Sequence, residues 1–190
     1  MIAPVYMGID QSVGGCGITV IEPTAGLSWT NVKSFPLKKF GGREVRQLAA
    51  LEDYIIQSVA QYHDRIKVIT REGFNYGAKQ GREKSGAIAY AVDSVLVDWV
   101  PSPTCYPYVI PPSKLKFFAT GKGGATKQEV IAAVRDLWGK DFGKDDNAAD
   151  SFVLAQIAYA IDGGHTGSPW QDEVLAGILT SCEDAVPAVG

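Results

Sequence analysis

At 190 residues, 46% of them hydrophobic, the chain has the length of one globular domain and enough apolar material for a substantial core. A formal net charge of -3 argues against a surface that is basic throughout, as many nucleic-acid-binding domains are. Three cysteines, Cys16, Cys105 and Cys182, lack CxxC spacing and suggest neither a disulfide framework nor a zinc site.

In chain order, the apolar run from Val5 to Asp10 predicts a buried strand, and CGITVIE and SWTNVKSF, separated by PTAG, extend it into an antiparallel meander of three strands. Residues 43 to 63 place Val45, Leu48, Leu51, Ile55, Ile56 and Val59 at helical spacing. RIKVIT predicts a fourth strand with Glu72 just beyond it. A long Ala-rich helix is expected over 81–99, and YPYVIPP supplies a fifth strand. KQEVIAAVRDLW, from Lys127 to Trp138, and NAADSFVLAQIAYAI predict two further helices, the second capped by Asp146 or Asn147. After Ile161 a Gly-, Ser- and Pro-containing tail has room for one short helix. Trp29, Trp138, Phe117 and Phe118 are read as core residues. The pattern implies an α/β fold: a central five-stranded mixed sheet flanked by helices.

In such a sheet, strand ends and the start of a packed helix can converge. Asp10 ends the first strand, Glu72 follows the fourth, and Asp150 lies early in the last long helix. Each has an ordinary account on its own, Asp10 as a turn or cap residue and Glu72 as a surface partner of Arg71. Together, converging carboxylates repel and either keep protons or bind a cation. With no His/Cys cluster available, the cation expected is Mg2+, and a pair of such ions suits phosphoryl-transfer chemistry.

Charge is also distributed unevenly. No acidic residue occurs between Asp98 and Glu129, while Lys114, Lys116, Lys122 and Lys127 all fall in that interval. A local basic strip binds phosphate even on an acidic protein. The glycines of GKGGATK let backbone N–H groups approach a phosphate, with Lys122 and Lys127 adding charge, and Lys116 or Lys127 can stabilise charge that builds at a scissile phosphate. The competing account is a solvated lysine-rich turn. GFNYGAKQGREK joins two aromatics to Lys79, Arg82 and Lys84: Phe74 or Tyr76 can stack on an exposed base while the basic residues hold the backbone. Core packing is the other account of Phe74.

GIDQS with its following glycines, VITREGFNYGAK, PPSKLKFFATGKGGATKQEV and DDNAADSFVLAQIA occur in an order that resembles RuvC-like Holliday junction resolvases, in particular the forms carried by bacteriophages. The resemblance covers roughly residues 5 to 162. Its most specific part is KxxxxGxGxAxK, met by Lys116, Gly121, Gly123, Ala125 and Lys127. It implies a ribonuclease-H-like domain over 1–163 with an ancillary tail over 164–190. It also implies a homodimer with contacts through the helix at 81–99, and Mg2+-dependent paired nicking of branched DNA at four-way junctions. Mn2+ is an expected substitute. By the same resemblance Asp10, Glu72 and Asp150 are metal ligands; where the family carries a fourth ligand this chain has Asn147, so the fourth donor is either the Asn147 amide oxygen or Asp146 one residue earlier.

Other nucleases of this fold, acting on RNA–DNA hybrids or flaps, and a silent DNA-binding module are the alternatives. GIDQS also resembles the first phosphate loop of sugar kinases, which need two such domains and a longer chain. The N-terminal MIAPVYMGID lacks a basic leader followed by an apolar core, and no apolar run approaches membrane-span length. The expected setting is the cytoplasm of a bacterium or a phage-infected host, with no membrane partner.

Overall fold

The computed structural model describes residues 2–12, 14–73, 82–99 and 107–183. β1 (Val5–Gln11), β2 (Gly15–Glu22) and β3 (Leu27–Ser34) form the expected antiparallel meander. α1 (Glu44–Ala60), β4 (Ile66–Glu72), α2 (Arg82–Trp99) and β5 (Tyr108–Ile110) follow, with β4 parallel to both β1 and β5. α3 (Pro112–Thr120), α4 (Lys127–Trp138), α5 (Asp146–Ile161) and α6 (Pro169–Glu183) complete the chain. Strand order is β3-β2-β1-β4-β5, so the five-stranded mixed sheet read from the sequence is the one observed, with β1 at its centre.

Period-2 alternation along β1 feeds two cores. Val5, Met7 and Ile9 join Ile18, Val20, Leu51, Ile55, Val92 and Leu96 on the face covered by α1 and α2. Tyr6 faces the other way, where Phe152, Ile157, Phe118, Val134 and Val174 pack from the remaining helices.

α5 is the helix that organises this second side. It lies between the sheet and α3, α4 and α6, and its ten buried residues leave no continuous polar stripe. Its contact with the sheet is backbone to backbone. A Cβ on Gly8 would stand 2.2 Å from the Ser151 carbonyl oxygen and 2.3 Å from Ala155 N, and one on Gly17 2.4 Å from the Asn147 carbonyl oxygen. The glycines of GIDQSVGGCG are therefore the bed on which α5 rests. Thr70 Oγ1 donates to the Leu154 carbonyl at 2.7 Å, and the hydroxyls of Thr19 and Ser151 bond at 2.9 Å, fixing the helix along its length.

Four features differ from the sequence reading. The segment PSKLKFFAT, which the sequence reading gives no element, is a helix, α3: Pro112 starts it, Leu115, Phe118 and Ala119 bury one face, and Gly121 at φ +73° ends it. The cap of α5 is Asp145, whose side chain accepts from Ala148 N at 3.0 Å, so Asp146 and Asn147 sit inside the first turn with their side chains free for other work. α6 is longer than the short helix expected and packs on α3 through Val174 and Ile178; Trp170 Nε1 and Gln171 Nε2 both donate to the Phe118 carbonyl, at 3.3 and 3.2 Å. Trp29 is 43% exposed, because β3 is an edge strand with neither face fully covered; it lies beside Tyr62. Trp138, Phe117 and Phe118 do pack in the core, Trp138 stacking on Phe118.

Gly8→Ala tests the bed directly. The added methyl must drive α5 off the sheet, so a loss of about 3 kcal/mol is expected, seen by thermal circular dichroism as a Tm lower by about 10 °C.

Candidate active site

Backbone pairing between β1 and β4 runs from Val5 opposite Ile66 to Ile9 opposite Arg71 and then stops. Asp10 and Glu72 are the next residues, on the face that α5 covers. β4 stays paired with β5 at this level, Glu72 opposite Ile110, so the two acidic residues flank the point where β1 and β4 part. Because α5 rests on Gly8 and Gly17, its first turns overhang that point and bring Asp146, Asn147 and Asp150 to it.

The result is a cleft of about 570 Å3 lined by Asp10, Glu72, Asp146, Asn147 and Asp150 together with Lys116 of α3 and Lys127 of α4. These seven residues, drawn from positions 10 to 150, are the catalytic candidates named from the sequence. Gln11, Ser12 and Ser85 also line the cleft and were not anticipated; Gln11 could have been noticed as an amide in an apolar strand.

Burial sets the electrostatics. Asp10 is 4% exposed, and desolvation holds its carboxyl well above the usual carboxylate range, with repulsion from Glu72 and Asp150 adding to it. Burial also raises Glu72, against the pull of its bond with Asp10 and of Lys116 and Lys127. Desolvation, then Glu72 and Asp146, push Asp150 up to about 7, opposed by Lys127 and Lys116. Lys127 bonds to Asp146, which strengthens its hold on its proton. Cys16 is buried nearby and burial keeps its thiol protonated, which excludes it as a nucleophile.

Among the described residues no three His, Cys, Asp or Glu side chains close on a common point as they stand. The donor chemistry nevertheless fits a hard divalent cation. Every donor is an oxygen, desolvation pushes three of the carboxyls toward protonation with repulsion adding to it at Asp10 and Asp150, and a cation would take the place of the protons so favoured.

The remaining basic candidates lie elsewhere. Lys114 has its ammonium group beside Gly177 of α6 and does not line the cleft, because its position on α3 points it to the α6 side. Lys122 is exposed and 3.8 Å from Glu129, and Lys84 pairs with Glu44 at 2.5 Å. Phe74, Tyr76 and Lys79 lie outside the described residues, as does the side chain of Arg82. Among the described residues no helix is long and apolar enough to cross a membrane.

The sheet order, the helix that lies across it and the cleft at the parting strands define a ribonuclease-H-like fold. Among solved structures, the chain is similar to Thermus thermophilus RuvC, with 22% identity over 84% of this chain and 96% of that one and a TM-score of 0.63. It is equally similar to T. thermophilus RuvC in complex with a Holliday junction substrate, with 21% identity, the same coverage and a TM-score of 0.64. No family model matches the sequence, and no curated protein sequence matches it at a significant level.

The raised carboxyls make stability depend on pH. A folded-state pKa near 7 for Asp150, against an ordinary 3.8, means that the folded chain binds more protons than the unfolded one between those values. Stability of the cation-free protein therefore falls as pH rises from about 4 to about 7. Calorimetry in a chelator should give a Tm about 5 °C lower at pH 8 than at pH 5. Mg2+ should restore most of the loss at pH 8, and Asp150→Asn should flatten the slope. An unchanged slope in that variant would assign the effect to other groups.

Proposed function

We propose that this protein is a Mg2+-dependent, structure-selective endonuclease that resolves four-way DNA junctions by paired nicking. The observation that carries the reading is the cleft itself: buried and half-buried carboxyls from β1, β4 and α5 with two lysines, on a fold shared with a protein solved on a Holliday junction substrate.

Asp10, Glu72 and Asp150 are the proposed holders of Mg2+, or of Mn2+ in its place, with Asp146 or the Asn147 amide oxygen as the additional donor. When bound, the divalent ions supply activation of the attacking water and neutralisation of charge on the leaving oxygen. Lys116 and Lys127 bring positive charge to the same cleft and stabilise the scissile phosphate as its negative charge grows. Lys127 is tethered to Asp146, which keeps its ammonium at the cleft and protonated at neutral pH.

Substrate selection is assigned to the segment after Glu72, where Phe74 or Tyr76 stacks on a base at the branch point and Lys79, Arg82 and Lys84 hold the backbone, with Lys122 at the edge. A homodimer matches a two-fold substrate, and α2 is its proposed contact element: Tyr90 and Val97 on this helix are 76% and 50% exposed. The bacterial or phage-infected cytoplasm is the proposed setting.

A synthetic four-way junction, the matched linear duplex and an RNA–DNA hybrid, each incubated with and without Mg2+, test the reading. Paired nicks confined to the junction and dependent on Mg2+ are expected; preferential cleavage of the hybrid would overturn it. Glu72→Gln should keep junction binding while lowering the cleavage rate by about a thousandfold. Lys116→Ala should slow cleavage by about a hundredfold with junction affinity changed by less than about threefold, read by single-turnover kinetics beside a binding titration.

A further inference from the structure

A second polar network borders the acidic site on the α2 side of the sheet, with Gln11 at the edge of the cleft, and is given no role in the chemistry above. Gln11 and Arg71 alternate along β1 and β4 with Asp10 and Glu72, and both are buried, at 8% and 5% exposure. Arg71 forms a two-pronged ion pair with Asp93 of α2, its Nε and Nη2 each donating at 2.7 Å to one carboxylate oxygen. Its Nη1 donates at 3.0 Å to the backbone carbonyl of Glu72. The same carbonyl accepts from Gln11 Nε2 at 2.6 Å.

This happens where the backbone ladder between β1 and β4 has ended. On its β5 side Glu72 is still held by strand pairing, and Gly73 N donates to the Ile110 carbonyl at 2.7 Å. On its β1 side the two side chains hold it instead. Neither is what core packing alone would select. A buried arginine must be fully paired to be tolerated, and an apolar residue of similar volume is commonly the more stable choice. Gln11 is oriented by its bond, because only its NH2 group can donate to a carbonyl; that leaves Oε1 buried with no hydrogen-bond partner among the described residues, at a cost of about 1–3 kcal/mol.

We propose that Gln11, Arg71 and Asp93 are positioning residues that clamp the Glu72 backbone, and so hold its carboxylate where it shares a divalent cation with Asp10 and Asp150. The clamp ties the site to α2 through Asp93. It rests on the reading of the cleft as a divalent-cation site.

The test uses full-length Asp93→Asn, which weakens the ion pair, and Gln11→Met, which removes the second grip and leaves the ion pair intact should the first variant fail to fold. Mn2+ binding to the DNA-free proteins is followed by electron paramagnetic resonance, alongside cleavage kinetics and Tm. Both variants should bind Mn2+ about tenfold more weakly, with kcat lowered by a similar factor and KM unchanged. Asp93→Glu, which keeps the carboxylate, should recover part of the affinity. Tyr6→Phe, which removes a 2.8 Å bond to Asp162 on the other face, should lower Tm without changing Mn2+ affinity. Wild-type Mn2+ affinity in both clamp variants overturns the clamp alone. Failure of the wild-type protein to bind Mn2+ overturns the cation reading and the clamp with it.

Discussion

The contact on which the rest of this structure depends is the one between the backbone of α5 and the backbones of β1 and β2. Helices usually stand off a sheet by the depth of their side chains. Here Gly8 and Gly17 remove that spacing, and the carbonyls of Ser151 and Asn147 lie where side chains would otherwise be. Close approach lets the first turns of α5 reach over the end of β1, so that a carboxyl from position 150 meets one from position 10. Wider spacing would leave the same residues on the same elements without a common cleft.

Once the carboxyls meet, two electrostatic terms act in the same direction. Desolvation favours the neutral forms of Asp10, Glu72 and Asp150, repulsion adds to it for Asp10 and Asp150, and Lys116 and Lys127 offset it only in part for Glu72 and Asp150. The site is thus tuned toward a ligand with concentrated positive charge. Lys127 holds Asp146 and enters the same cleft, so one residue both occupies a potential donor and supplies charge of its own.

Much of the fold was legible because the strands and the amphipathic helices carry clear periodicities, and the turn composition between β1, β2 and β3 fixed their antiparallel pairing. The convergence of Asp10, Glu72 and Asp150 followed from where strands end. What escaped was decided by packing. α3 is hard to read because its nine residues give little room for a periodicity and start at a pair of prolines that favour an extended or turn reading, although Leu115, Phe118 and Ala119 give it a buried face. Lys114 and Lys116 look alike in sequence, yet two residues along a helix turn them to different sides, one toward Gly177 and one into the cleft. Asp145 took the cap from its neighbours, a shift of one residue that only hydrogen bonding reveals. The hydrophobicity of Trp29 points to the core but carries no information about whether its strand lies at the edge, where it is in fact exposed.

The placement of α5 also has a consequence for how the protein is made. Its carboxyl is the last of the set along the chain, and the glycine bed that receives it is among the first segments synthesised. A growing chain with both strands and Glu72 already emerged still has no assembled cleft, because the overhanging helix has yet to leave the ribosome. Long-range closure of this kind is slow to form relative to local structure. It makes the acidic site a property of the completed fold, absent from partly made or partly unfolded chains that would otherwise carry most of its charged groups.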